Sequence, residues 1–492
     1  DMAASVTRNT TMFTVALGIQ KILAFLFFWY VSHKLGPSGL GQYIFALSFT
    51  TMFAVFMDIG MGTVLTREVA RTPDKAQKLI SSALGLKIIL GVVVLAIMVA
   101  VIVFSDRPLI LKQLMLLAGI IMVSDSIQIL LASFFRGIQT LRHESVSVLI
   151  FQFVEIAVGV IALEITGDVR WAIISVASAS VSAFIYFALV AWKKHSIVLK
   201  PSFDRSAIKA FSKLLPAFAI ATIVVRMYAT TDVIILEFLA GSAAVGVYAV
   251  PAKVVTALQS LFAGSFAAAM YPAMSSAFEQ QKEKLGSLLA SSFHYLSLLS
   301  FPMAAGLATI SAAVIQTIWP EYQAAVLPLI LMSLALPFVF LSFPTGSLLN
   351  ATNRQKKTTL NRIVAAVLSI ALNIIFIPLY GVLAAASIFL FTSIILFILD
   401  SINVHSELAE VYIWGRSKGI RILLASIAMA GVTWWVQTKG IPVWAAVIVG
   451  MATYTLFIAM LRAVTRQELA DFIKTIVSKK GIKQPREDTH QL

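Results

Sequence analysis

The chain has 492 residues, 59% of them hydrophobic and 12% charged, with no cysteine and a formal net charge of +15. A soluble globular chain carries about 25% charged residues, so these figures and a mean hydropathy of +0.91 describe an integral membrane protein built mostly of spans. They exclude a disulfide framework, a thiolate nucleophile and a cysteine-based metal site, and the six scattered histidines form no HExxH pair.

The chain reads as all-α and polytopic, with about fourteen transmembrane helices. The predicted spans are 9–33, 40–66, 80–104, 111–134, 145–166 and 170–192, then 212–238, 244–273, 287–318, 324–350, 359–378, 380–403, 419–437 and 441–462. Several exceed the roughly 20 residues needed to cross, which implies tilt or protrusion. The first apolar run, Met12–Val31, has the length of a span and no small-residue cleavage site, so a span is expected there and not a signal peptide.

The basic residues alternate between the two sides. A cytoplasmic N-terminus puts Arg67, Arg71, Lys75, Lys78, Arg136, Arg142 and the cluster from Lys193 to Lys213 inside. Lys282, Lys284, Arg354, Lys356, Lys357, Arg362, Arg416, Lys418, Arg421 and the tail from Arg462 to Arg486 follow on the same side. Only Lys34, Arg107, Lys112, Arg170 and Lys439 stay outside, a bias of more than five to one. This pattern explains the positive charge without nucleic acid, and it predicts a cell (inner) membrane protein with both termini cytoplasmic.

The longest polar connection, KKHSIVLKPSFDRSAIKAFSK at 193–213, divides the first twelve helices into two sets of six. LGPSGLGQY (35–43) opens helix two and LAGSAAVGVY (239–248) opens helix eight, both ending Gly-x-Tyr. SFFRGIQTLRHES (133–145) and SLLNATNRQKKTTL (347–360) close helices four and ten with similar basic turns. A six-helix repeat keeps its orientation, so the expected organisation is two parallel-repeat lobes, 1–192 and 214–403, with the site between them. Two extra helices (404–462) and a basic tail (463–492) follow, the tail reading as a short surface helix through Ser478 and then disorder.

Ten ionisable residues fall at membrane depth: Lys21, Asp58, Lys87, Asp125, Glu155, Glu164, Arg226, Asp232, Glu237 and Lys253. Such residues face a cavity or a partner and are functional by default. Lys87 reads as a snorkelling lysine. Glu164 and Glu237, near outer helix ends, read as wet, and His294 as a packing residue. Asp125 and Glu155 lie deep, either paired within the first lobe or engaged in transport. Thr10, Thr14 and Lys21 share one helix face, and Lys253, Thr256, Ser260 and Gly264 form a second polar stripe. Arg226 and Asp232 are six residues apart, about 120° around helix seven. If these helices meet between the lobes, Lys21, Arg226 and Lys253 make a cationic cavity with hydroxyl walls. That cavity suits an anionic, hydroxyl-rich ligand such as a diphosphate. Asp58, Asp125, Glu155 and Asp232 are then the candidates for ion coupling or gating. The alternative is a set of ion pairs such as Arg226–Asp232 or Lys21–Asp58.

Several stretches resemble the polysaccharide (O-antigen-type, lipid-linked oligosaccharide) flippases of the multidrug/oligosaccharidyl-lipid/polysaccharide exporter superfamily. They are LGPSGLGQY (35–43), DIGMGTVLTREVAR (58–71), FRGIQTLRHES (135–145), TTDVIILEFLAGSAAVGVYAVPAK (230–253), WPEYQAAVLPL (319–329), NATNRQKKTTLNR (350–362) and LNIIFIPLYGVLAAA (372–386). The resemblance implies two V-shaped six-helix bundles plus two helices, working by alternating access on a polyprenyl-diphosphate-linked oligosaccharide. It also implies a transporter without a cofactor, and Asp232 and Lys253 fall where that family usually carries an acid and a base; Arg226 rests on the physical argument alone.

Two rival cargoes differ in their charges. The related lipid II flippases carry several arginines in helices one and two, where this chain has one lysine and one acid. Drug exporters favour acids in the cavity. Among enzymes, a glycosyltransferase is disfavoured because no connection is large enough to hold a catalytic domain, and no Walker A motif is present. The transport is expected to draw on the membrane potential or on H⁺ or Na⁺, in a chain that acts as a monomer.

Overall fold

Backbone amides in hydrocarbon must be satisfied within the segment, so long apolar runs become helices. The computed structural model describes residues 2–203, 205–212, 216–280, 283–407 and 416–464, and among these it contains helices and no strand. The predicted tail helix lies outside the described residues.

The first bundle comprises α1 (Met2–Asp58), α2 (Met61–Arg71), α3 (Ala76–Phe104), α4 (Leu109–Gly137), α5 (Arg142–Thr166) and α6 (Val169–His195). A short α7 (Arg205–Ser212) lies in the connection. The second bundle comprises α8 (Pro216–Ala240), α9 (Ser242–Leu258), α10 (Ser265–Gln280), α11 (Glu283–Ile318), α12 (Val326–Leu334), α13 (Leu336–Ala351), α14 (Gln355–Tyr380) and α15 (Val382–Glu407). Finally α16 (Arg416–Thr438) and α17 (Val443–Met460) pack on α11.

Twelve of the described runs are long and apolar enough to cross a membrane. One of them, Met12–Asp58, is 47 residues long and bends at Gly36 (φ 63°, ψ −178°), so it crosses twice. With its two arms counted separately and the 25-residue α8 added, the described residues offer fourteen segments of crossing length.

Three predicted spans are less regular than their apolar patterns suggested. Helix two stops at Asp58, because Ile59 (φ 36°) and Gly60 (φ 82°) take left-handed backbone before α2 resumes. Helix eight passes from α9 into α10 through a π-helical turn, Gln259–Gly264. Helix ten starts as a 3₁₀ turn, Pro320–Ala325, and breaks again between α12 and α13.

The two bundles meet mainly through α1, which packs on α8, α9 and the Pro320–Ala325 turn. One hydrophobic core crosses this junction, joining Phe27, Phe28, Val31 and Leu40 to Val250, Trp319 and Tyr322. The buried residues of the other two large cores come from one bundle each, with Ile44 of α1 packed against the second-bundle core. At the crossing two glycines allow backbone to meet backbone. A Cβ on Gly41 would lie 1.7 Å from the Ser242 carbonyl oxygen, and one on Gly246 would lie 1.8 Å from that of Pro37. Both glycines belong to the repeated Gly-x-Tyr-ending stretches. The seal is reinforced by Trp319 Nε1 donating to Ser32 Oγ and Tyr322 Oη donating to the Ser32 carbonyl, each at 2.8 Å. Phe45 and Phe238 meet edge to face there at 6.0 Å. The bundles are therefore clasped at the end of the molecule that carries Gly36 and Gly241.

Candidate functional site

Towards the middle of the bundles, charged side chains replace this dry seal. Lys253, on α9 of the second bundle, lies within electrostatic reach of Glu155 on α5 and Lys21 on α1. Its ammonium sits 5.1 Å from the centre of the Phe28 ring. Glu155 is buried and accepts a 2.8 Å hydrogen bond from Gln152 Nε2. Gln152 in turn accepts from Gln20 Nε2 at 3.2 Å. Lys21 is exposed.

A second pairing runs parallel to the first. Arg226, exposed on α8, lies within electrostatic reach of Asp125 on α4. The Asp125 carboxylate accepts a hydrogen bond from Ser180 Oγ. Among the described residues, neither acid touches its cation directly. Each of these acids belongs to the first bundle and Lys253 and Arg226 to the second, so both pairings cross between the bundles without direct contact. Lys253 has both Glu155 and Lys21 within electrostatic reach, so this group is mixed in charge and not purely cationic. Thr256 is exposed on the Lys253 stripe and Ser260 is half-buried in the π-helical turn. Thr14 is exposed on α1, and the side chain of Thr10 lies outside the described residues.

Neither of the two anticipated ion pairs, Arg226–Asp232 and Lys21–Asp58, forms. Asp58 instead binds Lys87 Nζ at 3.0 Å, and Lys87 also donates to Ser126 Oγ at 2.8 Å. Lys87 is only 2% exposed, so it does not snorkel. A lysine so deep keeps its charge only beside an acid, and Asp58 is held on it within the first bundle.

Asp232 faces into the second bundle. It accepts from Ser369 Oγ (3.0 Å), Asn373 Nδ2 (2.9 Å) and Tyr248 Oη (3.4 Å), all neutral donors. Asn373 Oδ1 is buried beside it without a partner.

The two acids near helix ends differ. Glu164 is wet as expected, bound to Lys34 (2.8 Å) and Tyr30 (2.7 Å) at the surface. Glu237 is buried, against expectation, because the bundle junction covers it; Ser242 Oγ donates to it at 2.9 Å, and its Oε2 has no hydrogen-bond partner. His294 is buried against Tyr295, as a packing residue would be. No group of three metal-ligating side chains occurs among the described residues.

Sequence reasoning missed Gln20, Gln152 and Ser180, the neutral side chains that orient the two interface acids. Glutamine at positions 20 and 152 sits in apolar helices, and that mismatch was the available signal.

Comparison with known proteins gives consistent results. A family model described as "Polysaccharide biosynthesis protein" matches residues 6–278. A protein of Escherichia coli (strain K12) named "Putative O-antigen transporter" is 25% identical over 383 residues, 74% of this chain and 87% of its own. Among solved structures, the lipid II flippase MurJ in an inward closed conformation superposes with a TM-score of 0.75 at 18% identity, covering 92% of this chain and 98% of its own. An inward-facing multidrug resistance MATE family transporter of the MOP superfamily superposes with a TM-score of 0.67 at 16% identity, over 80% of this chain and 95% of its own. At such identities these structures establish the shared fold.

Proposed function

The chain belongs to the polysaccharide biosynthesis protein family, and from that premise we propose that it flips a polyprenyl-diphosphate-linked oligosaccharide from the cytoplasmic to the outer leaflet. Its relatives are transporters and not enzymes, and this multi-pass membrane protein is a transporter of the same superfamily. What supports the cargo assignment is that Lys253 lies within electrostatic reach of Glu155 and Lys21, and Arg226 within reach of Asp125, in bundles clasped at one end. A charge-assisted hydrogen bond from a cation to a phosphate oxygen is strong, and the acids of the first bundle offset part of the positive charge.

The basic loops support cytoplasmic termini. In that orientation the clasped end, with Gly41 and Gly246, faces outward, and the cavity receives cargo from the cytoplasmic side. The diphosphate takes the direct contacts with Lys253 and Arg226 that Glu155 and Asp125 leave unmade, and Thr14, Thr256 and Ser260 meet hydroxyls nearby. Re-closing the opposite end and parting the glycine crossing releases the lipid outside. Exporting about two negative charges across about 100 mV, inside negative, yields roughly 4–5 kcal/mol, enough to drive net transport. Of the acids, Asp232 suits a coupled H⁺ or Na⁺ best, since its hydrogen-bond partners are neutral and, among the described residues, no cation pairs with it. A single chain with its own inter-bundle cavity needs no second copy, so the working unit is a monomer.

The test is export of the glycan by cells carrying Lys253→Ala, Arg226→Ala or both. Each single change is expected to cut export at least tenfold and the pair to abolish it. Full export by the double variant would overturn the cationic site.

A further inference from the structure

Within the second bundle, α8, the π-helical turn, α13, α14 and α15 enclose a cavity of about 400 Å³. It lies towards the unclasped end, near the α13–α14 turn and the last turns of α15. Its volume falls in the ~300–1,000 Å³ range of small-molecule sites. Its walls mix planar polar side chains (Gln259, Asn350, Arg362, Asp400) with aromatic ones (Tyr228, Phe343).

Part of this polar set is internally fixed. Asp400 accepts from Asn361 Nδ2 at 2.7 Å, and Asn361 accepts from Asn403 Nδ2 at 3.1 Å. Arg362 lies within electrostatic reach of Asp400, so the two charges offset each other. The rest is open: among the described residues, no protein hydrogen bond engages the Arg362 guanidinium or the side-chain amides of Gln259 and Asn350. Donors and acceptors left open in a half-buried cavity call for a polar occupant. With its single cation balanced by an acid, the cavity does not select an anion. Planar amides, a carboxylate–guanidinium pair and aromatic faces match the hydroxyls and apolar ring faces of a neutral sugar.

The position fits as well. Val225, in the cavity wall, is the sequence neighbour of Arg226. Gln259 follows Lys253 by six residues, about 9 Å along a helix axis. The cavity and the two cations of the second bundle thus share α8 and the helix that runs from α9 through the π-helical turn.

We infer that this cavity is a saccharide subsite, holding the diphosphate-proximal sugar of the cargo while Arg226 and Lys253 hold the diphosphate. The inference rests on the reading of the preceding subsection, yet it concerns different residues and a different part of the ligand. The π-helical turn gives the subsite one of its walls, a use to which such turns are often put.

The test is direct binding to the full-length purified protein of two probes, a polyprenyl diphosphate and the same lipid carrying one N-acetylglucosamine. The wild type is expected to prefer the sugar-bearing lipid by about tenfold or more. Asn350→Ala and Gln259→Ala, on separate helices, are each expected to reduce that preference about three- to tenfold, the effect of one lost hydrogen bond. Lys253→Ala is expected to weaken both lipids together and keep the preference. Equal affinity of the wild type for the two lipids, or a full preference retained by both subsite variants, overturns the subsite. Unchanged binding of both lipids by Lys253→Ala overturns the diphosphate site and leaves the subsite to stand on the Asn350 and Gln259 results. Failure of the wild type to bind either lipid overturns both.

Discussion

Lys87 and Lys253 are two lysines at membrane depth, each with an acid for company, and their surroundings differ. Lys87 is 2% exposed, touches Asp58 at 3.0 Å and donates a second hydrogen bond to Ser126. All three groups belong to the first bundle. Lys253 is half-buried, reaches Glu155 only across the space between the bundles, and lies over the Phe28 ring. A direct pair around an enclosed ammonium offers a ligand little access to that charge and contributes to holding its bundle together. A loose pair across an interface leaves charge available to whatever enters. Contact geometry, more than depth in the membrane, separates the lysine that ties one bundle together from the one proposed to bind cargo.

The largest effect is expected from breaking the enclosed pair. Lys87→Ala leaves Asp58, 19% exposed, without its counter-charge, which costs about 3 kcal/mol, the low end of the range for buried pairs. Unfolding of the purified protein in detergent should register that loss as a lower midpoint and reduced yield. The double change Lys87→Met with Asp58→Asn should recover most of it, since removing both charges avoids the uncompensated one. A Lys87→Ala protein as stable as the wild type would show that the pair does not hold the first bundle.

These distinctions were only partly legible in the sequence. The spans were, because nothing but a helix satisfies an apolar run of twenty residues in lipid. So was the kinship of 35–43 with 239–248, whose glycines turn out to cross at the seal. The partners of the buried charges were not. Lys87 and Asp58 lie 29 positions apart, and Gln20 and Gln152 lie 132 apart. Helical periodicity reports neighbours three or four residues away and is silent on such pairs. The break after Asp58 was hidden too, since Ile59 is β-branched and a poor residue for left-handed backbone; only Gly60 hinted at it. The same limit hid the C-bundle cavity, whose walls come from five separate elements.

Breaking the loose pair should move function and spare the fold. Lys253→Ala removes a half-buried cation with no direct ion pair, so its cost in stability should stay below about 1 kcal/mol. Loss of a charged hydrogen-bond donor to phosphate should weaken binding of a lipid diphosphate by about 10–100-fold. The two readouts, unfolding and binding, thus invert between Lys87→Ala and Lys253→Ala. If Lys253→Ala unfolds the protein as badly as Lys87→Ala does, the distinction between enclosed and open pairs collapses.

The smallest effect belongs to a third lysine with a shorter contact than either. Lys34 meets Glu164 at 2.8 Å, but the two side chains are 31% and 55% exposed. Water screens such a pair and ordering two long side chains costs entropy, so exposed pairs contribute about 0–1 kcal/mol. Lys34→Ala should leave glycan export unchanged and shift the unfolding midpoint slightly, with less sensitivity to salt than the wild type shows. Distance alone would rank this pair above Lys87–Asp58, and burial ranks it last. Measured unfolding of the three alanine variants in one detergent decides between these orders. A Lys34→Ala loss as large as that of Lys87→Ala would mean that contact distance, and not exclusion of water, governs charge pairing in this protein.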